Sequence, residues 1–233
     1  VSRPSSLLAL AALLALASGC RTPAEVPQDV EPRAMYQAVA NALPRASFGW
    51  GTPPGIVSMS ASAKAEGAAP EPEQPVANER QFRLIVEVYR ARNVSIPYGA
   101  IEQVHYGWRP FPNALLAPLL IVPLQLVRAT VVFDGAKVQG FLSSVEHDIT
   151  RLEQISREIG LGGPWSHAQD VKEKLADDAA EYGPGRVSVH FDYLMPIPAA
   201  FPMRTRARET AEAFAWCQAN PTPPPAPADG APR

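Results

Sequence analysis

His190 and Asp192 stand two residues apart in RVSVHFDY, Arg186 to Tyr193. That segment alternates, with Val187, Val189, Phe191 and Tyr193 sharing one face of a predicted strand and His190 and Asp192 sharing the other. An imidazole and a carboxylate so placed could ligate a metal, or pair a base with the acid that orients it. A metal site needs a further ligand, and only His105, His147 and His167 could add another imidazole. A solvated strand face yields the same pattern and is the preferred reading, so no metal and no cofactor are expected.

The other chemistry-bearing residues are each explained without catalysis. Glu146, His147 and Asp148 follow Ser143 and Ser144, a capping-box start, and acidic groups in a first helical turn complement the helix dipole. No G-x-S-x-G elbow occurs, which leaves a serine hydrolase of that class without support. GLGGPW, Gly160 to Trp165, lacks the Lys-Ser/Thr of a phosphate loop and reads as a linker between helices. Cys217, among Ala213, Phe214 and Trp216, reads as a small buried hydrophobe.

The elements that must carry these residues belong to a chain of 233 residues, 46% hydrophobic and 19% charged. Those values fit a globular domain and exclude a polytopic membrane protein or a collagen-like chain. A net charge of −2 offers no basic field, so no nucleic-acid partner is expected. The N-terminus places Arg3 before an apolar run, Leu7 to Ala17, that is too short to span a bilayer and reads as a cleavable signal. The run ends in Ala17-Ser18-Gly19-Cys20, which resembles the lipobox of bacterial lipoproteins. The resemblance implies a signal peptide over residues 1–19 and lipidation of Cys20, with the membrane as partner through that lipid. Arg21, where an inner-membrane retention signal would have Asp, implies the periplasmic side of the outer membrane of a bacterial cell envelope.

Composition divides the chain beyond that signal. Residues 20–33 read as the lipidated Cys20 and a flexible tether, 34–219 as a single domain with a mobile loop over 64–80, and 220–233 as a Pro-rich disordered tail. Within the domain Met35, Val39 and Leu43 predict a helix stopped by Pro44. Strands are predicted over 55–62, QFRLIVEVYR, 93–97, 100–106, 119–126 and 129–133, the last closed by a hairpin turn at Asp134-Gly135. A helix from Ser143 to Gly160 with Val145, Ile149, Leu152 and Ile159 inward is followed by another opening at Ser166 and Gln169. RVSVHFDY and a helix over 205–219, burying Ala213, Phe214 and Cys217, complete the order. The expected class is α+β, with a mainly antiparallel, bent or barrel-like sheet packed with three to four helices.

Asn113 to Val127, NALLAPLLIVPLQLV, is the most apolar part of the domain and is broken by Pro118 and Pro123. It is either buried strands or a surface loop entering lipid. Burial is preferred, while Trp108, Phe111, Leu119, Leu120 and Ile121 are the candidates for membrane or partner contact.

A strand into IPYGAIEQVHYG, the turn at VVFDG and the helix after it resemble a bacterial pleckstrin-homology-like domain over about residues 55–160. That resemblance implies binding to membranes, peptides or proteins. The expected function is a non-enzymatic, membrane-anchored binding or structural module whose partner is another envelope protein or the membrane surface. The alternatives are an envelope hydrolase or metal-dependent enzyme using His190 and Asp192, and a carrier of an apolar ligand.

Overall fold

Strict period-two alternation in two segments, LQLVRATVVFD and RVSVHFDYLMP, sets two long strands side by side with Ala129 opposite Phe191. The structure, a computed structural model, describes residues 21–48, 77–110, 124–160, 162–196 and 200–221. Its elements are β1 (Arg21–Pro23), α1 (Pro32–Ala42), β2 (Ala46–Ser47), β3 (Gln81–Glu87), β4 (Ala91–Pro97), β5 (Ile101–Pro110), β6 (Leu124–Asp134), α2 (Phe141–Ile159), α3 (Gly162–Tyr182), β7 (Arg186–Pro196) and α4 (Ala200–Ala219). One antiparallel sheet has the order β1-β5-β6-β7-β2, and β3 and β4 form a separate antiparallel pair. The architecture is α+β, and the described sheet is open rather than a closed barrel.

One face of the sheet is apolar. Val127, Ala129, Val131 and Phe133 of β6 and Val187, Val189 and Phe191 of β7 are all buried there. Against them packs α4, which presents Ala207, Ala211, Phe214 and Cys217. The Phe214 ring lies 4.9 Å from that of Phe191 and 5.1 Å from that of Phe82 on β3, so a single side chain joins the sheet to the β3–β4 pair. Phe82, Leu84 and Val86 are buried as their alternation requires. On the other face α3 lies over β7 and α2 packs on α3.

Several local expectations are corrected. Asp134-Gly135 makes no hairpin, because β6 pairs with β5 and β7 and the chain continues into a 3-10 turn, Gly135–Lys137. The Asp134 carboxylate accepts the Ala136 N–H at 3.0 Å and so opens that turn. The two predicted strands over 119–126 and 129–133 are one strand from residue 124 onward, since Val127 and Arg128 keep the alternation. No capping box opens α2. It begins two residues earlier behind Gly140, whose φ of 68° serves the turn, and the Ser143 hydroxyl donates to the Gly140 carbonyl. Glu146, His147 and Asp148 therefore lie beyond the first turn, where the helix dipole does not explain them.

Ile159 is exposed rather than inward, and α3 starts at Gly162, so most of the supposed linker GLGGPW is helix. Arg21 to Pro23 are not tether: they pair with Gly107 to His105 of β5, and the Ala24 N–H donates to the Val104 carbonyl at 2.9 Å. The far end of the predicted loop over 64–80 is an ordered turn, in which the Asn78 side chain accepts the N–H groups of Arg80 and Gln81. The predicted strand over 55–62 lies outside the described residues.

Candidate functional site

Antiparallel register lines up polar residues across the face opposite Phe214. Pro23, His105, Thr130, His190 and Ser47 stand in one row on the five strands, and Arg21, Gly107, Arg128 and Asp192 in a row beside it. The sequence spacing thus put His190 and Asp192 on the correct shared face. It did not give their partners. Asp192 receives two hydrogen bonds from Arg128, Nε to Oδ1 at 2.6 Å and Nη2 to Oδ2 at 3.0 Å. His190 has its Nδ1 3.2 Å from the Thr130 hydroxyl and its Nε2 3.4 Å from that of Ser188. Asp192 therefore holds an arginine.

Beneath α3 these strands line a half-open cavity of about 160 Å³. Its floor is a bonded triad. Lys174 of α3 forms an ion pair with Asp178 one turn on, and its Nζ donates to the Ser188 Oγ at 2.6 Å. Asp178 accepts the Ser188 backbone N–H and hydroxyl, each at 2.8 Å. Burial lowers the Lys174 pKa below the ordinary lysine value, while Asp178 acts to hold its proton. The Ser188 hydroxyl proton is committed to a carboxylate and its lone pair to an ammonium, so the serine is a fixed wall group rather than a free nucleophile.

The rim is Arg21 of β1 against Glu181 of α3, an ion pair whose side chains are 44% and 40% exposed. Arg21 also donates to the Tyr182 hydroxyl at 3.2 Å and lies 5.9 Å from that ring's centroid. His105 sits beside the same ring, at 6.1 Å. Burial first, and the Arg21 charge second, push the His105 pKa down to about 4, which leaves a neutral imidazole in the wall at neutral pH.

The remaining predicted site residues fall elsewhere. Trp108 is half-buried and borders the cavity, while Phe111, Leu119, Leu120, Ile121 and Cys20 lie outside the described residues. Val127, at the end of the apolar run, is core. Among the described residues no three His, Cys, Asp or Glu side chains are grouped as metal ligands, and His147 and His167 add none to His190. No described helix is long and apolar enough to cross a membrane. Asp148 is buried and ion-paired with Arg92 of β4. Cys217 is buried beside Tyr98, whose hydroxyl has no hydrogen-bond partner among the described residues, and burial pushes the thiol up to about 12.

Sequence reasoning missed Ser188, Lys174, Asp178, Arg128, Thr130, Arg21 and Tyr182. Two signals were present: the i, i+4 spacing of Lys174 and Asp178, and Ser188 two residues before His190 on the same polar face.

No protein-family model, curated protein or solved structure matches the chain. Function must be argued from the cavity itself.

Proposed function

We propose that this protein is a membrane-anchored, non-enzymatic module of a bacterial cell envelope, held through lipid on Cys20, that binds a small polar ligand in the cavity beneath α3. The anchor rests on the Ala17-Ser18-Gly19-Cys20 pattern after a short apolar run, and Arg21 favours the outer membrane. The observation that carries the binding role is the cavity's polar wall, with Arg21, His105, Thr130 and His190 held over a rigid floor of Lys174, Asp178 and Ser188 that bond to one another. Such preorganisation lowers the ordering cost of binding. The volume, about 160 Å³, suits one small polar group of headgroup or sugar size.

Two experiments test the two halves. Cys20→Ala in the full chain should move the protein from the membrane to the soluble fraction and remove the acyl mass. A thermal-shift panel on the detergent-purified chain, using phosphoethanolamine, glucosamine and glycerol 3-phosphate, should raise the Tm with at least one probe and lose that rise in His105→Trp, which fills the cavity from its wall. A flat response to all three removes the ligand-binding role.

A hydrolytic reading draws on the 2.6 Å approach of Lys174 to Ser188. It requires Asp178 to release the serine proton, and stoichiometric labelling of Ser188 by a fluorophosphonate would establish it in place of binding. The metal-dependent variant requires Asp192 to leave Arg128, and stoichiometric zinc in the purified chain would support it.

A further inference from the structure

Another cavity, about 480 Å³, lies between the β3–β4 pair and the start of α2. Arg92, Asn93, Val94 and Ser95 of β4 line it consecutively. A strand shows alternate residues along a face but consecutive ones along an edge, so the cavity runs beside the edge of β4. Among the described residues that edge has no partner, because β4 pairs with β3 alone. The phase of the ladder fixes which groups it presents. The Tyr98 N–H donates to the Arg80 carbonyl at 3.2 Å, one step beyond the Gln81–Pro97 pair of the β3–β4 register. Hydrogen-bonded pairs alternate in an antiparallel ladder, so Ile96, Val94 and Arg92 bond inward to β3 while Ser95 and Asn93 turn their N–H and C=O groups outward. The Gln81 carbonyl, which accepts the Asn78 N–H on the far side of β3, keeps the same phase. Pro97, the next outward position, has no N–H and ends the row of donors.

We propose that this groove binds an extended peptide of another protein, which adds to β4 as a third strand and carries an acidic side chain. A row of outward amide donors and acceptors is matched by another backbone in extended conformation. The other wall of the groove is α2, joined to β4 at one end by the Arg92–Asp148 ion pair, and Val138, Phe141 and Val145 give it an apolar lining for an inward side chain. Charge decides the partner's composition. The Lys137 side chain is 52% exposed, and its acidic neighbours, Glu102 and Asp134, stand 3.6 and 3.7 Å away, beyond hydrogen-bond distance. No side chain caps α2 at Gly140, and Gly140, Phe141 and Ser144 line the groove, so the positive end of that helix borders it. The acid in the wall, Asp148, is buried and held by Arg92. A carboxylate on the peptide therefore meets Lys137 and the helix start, whereas a second copy of β4, ARNVSIP, brings an arginine and no acid.

The test uses the full, detergent-purified chain and a random heptapeptide library displayed on phage, with the selected peptides resynthesised. They are expected to carry Asp or Glu among β-branched residues. N-methylation of alternate peptide residues should weaken binding at least about tenfold in the phase that faces β4, and leave it unchanged in the opposite phase. Lys137→Glu, with the melt of the parent, should weaken binding about tenfold. In the free chain the Asn93 and Ser95 amides should exchange faster than those of Val94 and Ile96, and the bound peptide should protect them. Absence of enriched peptides, or binding indifferent to both phases of N-methylation, overturns strand addition. Binding that is lost in His105→Trp but unchanged in Lys137→Glu puts the peptide under α3 and overturns the groove. Protection of Asn93 and Ser95 in the free chain that disappears on dilution assigns the edge to a second copy instead.

Discussion

Asp178 is the residue on which the cavity floor depends, because it is 4% exposed and balances Lys174 while accepting two bonds from Ser188. Asp178→Ala leaves a buried ammonium uncompensated and is expected to cost about 3–5 kcal/mol in urea unfolding. Ser188→Ala, which leaves the ion pair standing, should cost about 1 kcal/mol. Equal costs would mean that the charge is not the larger contribution. His105 makes a pH prediction of definite sign. Its folded pKa near 4 lies below the ordinary 6.5, so between those values the unfolded chain binds more protons. The resulting stability is complete above about pH 6.5 and is lost as pH falls toward 4. In His105→Gln the slope of stability against pH between 6.5 and 5 should be shallower than in the parent. At this scale the sequence disclosed faces but not partners. His190 and Asp192 were legible as a pair because two residues on a strand share a side, whereas Arg128 and Thr130 reach them only through strand pairing across some sixty residues.

Among elements, the β3–β4 pair is fastened to α2 by Arg92 and the buried Asp148. Arg92→Ala is expected to cost about 2 kcal/mol, less than for a wholly buried pair because the arginine side chain is 38% exposed. Hydrogen exchange should show the loss first in the β3 and β4 amides, and uniform loosening of all strands would argue against a local fastening. The elements themselves were largely readable. QFRLIVEVYR and RVSVHFDY alternate with few exceptions, and a half-buried sheet demands that. Boundaries were read less well where a glycine rather than a side chain sets them. Gly140 opens α2 through a positive φ, and Gly135 lies so close to the Gly185 carbonyl that a Cβ would stand 3.0 Å from it. A turn dipeptide and a close approach call for the same residue, so Asp134-Gly135 resembled a hairpin.

For the whole molecule, Cys217 is a reporter already in place. Buried, with its thiol pushed up to about 12, it should react with a disulfide reagent only at the rate of global opening. Fast labelling of the folded, Cys20-blocked chain would show that α4 detaches independently. Phe214 turns the same helix into a clock for assembly. The side chain that touches both Phe82 and Phe191 belongs to the last described element, and β1 pairs with a strand more than eighty residues away. Chain emerging N-terminus first leaves this core incomplete until α4 is present, because the earlier pieces have Arg92–Asp148 and Phe82–Tyr98 but lack the ring that packs on both Phe82 and Phe191. Termination before α4 should yield no cooperative melt at all. A core built this way is completed by the last described helix and is then expected to melt as one unit.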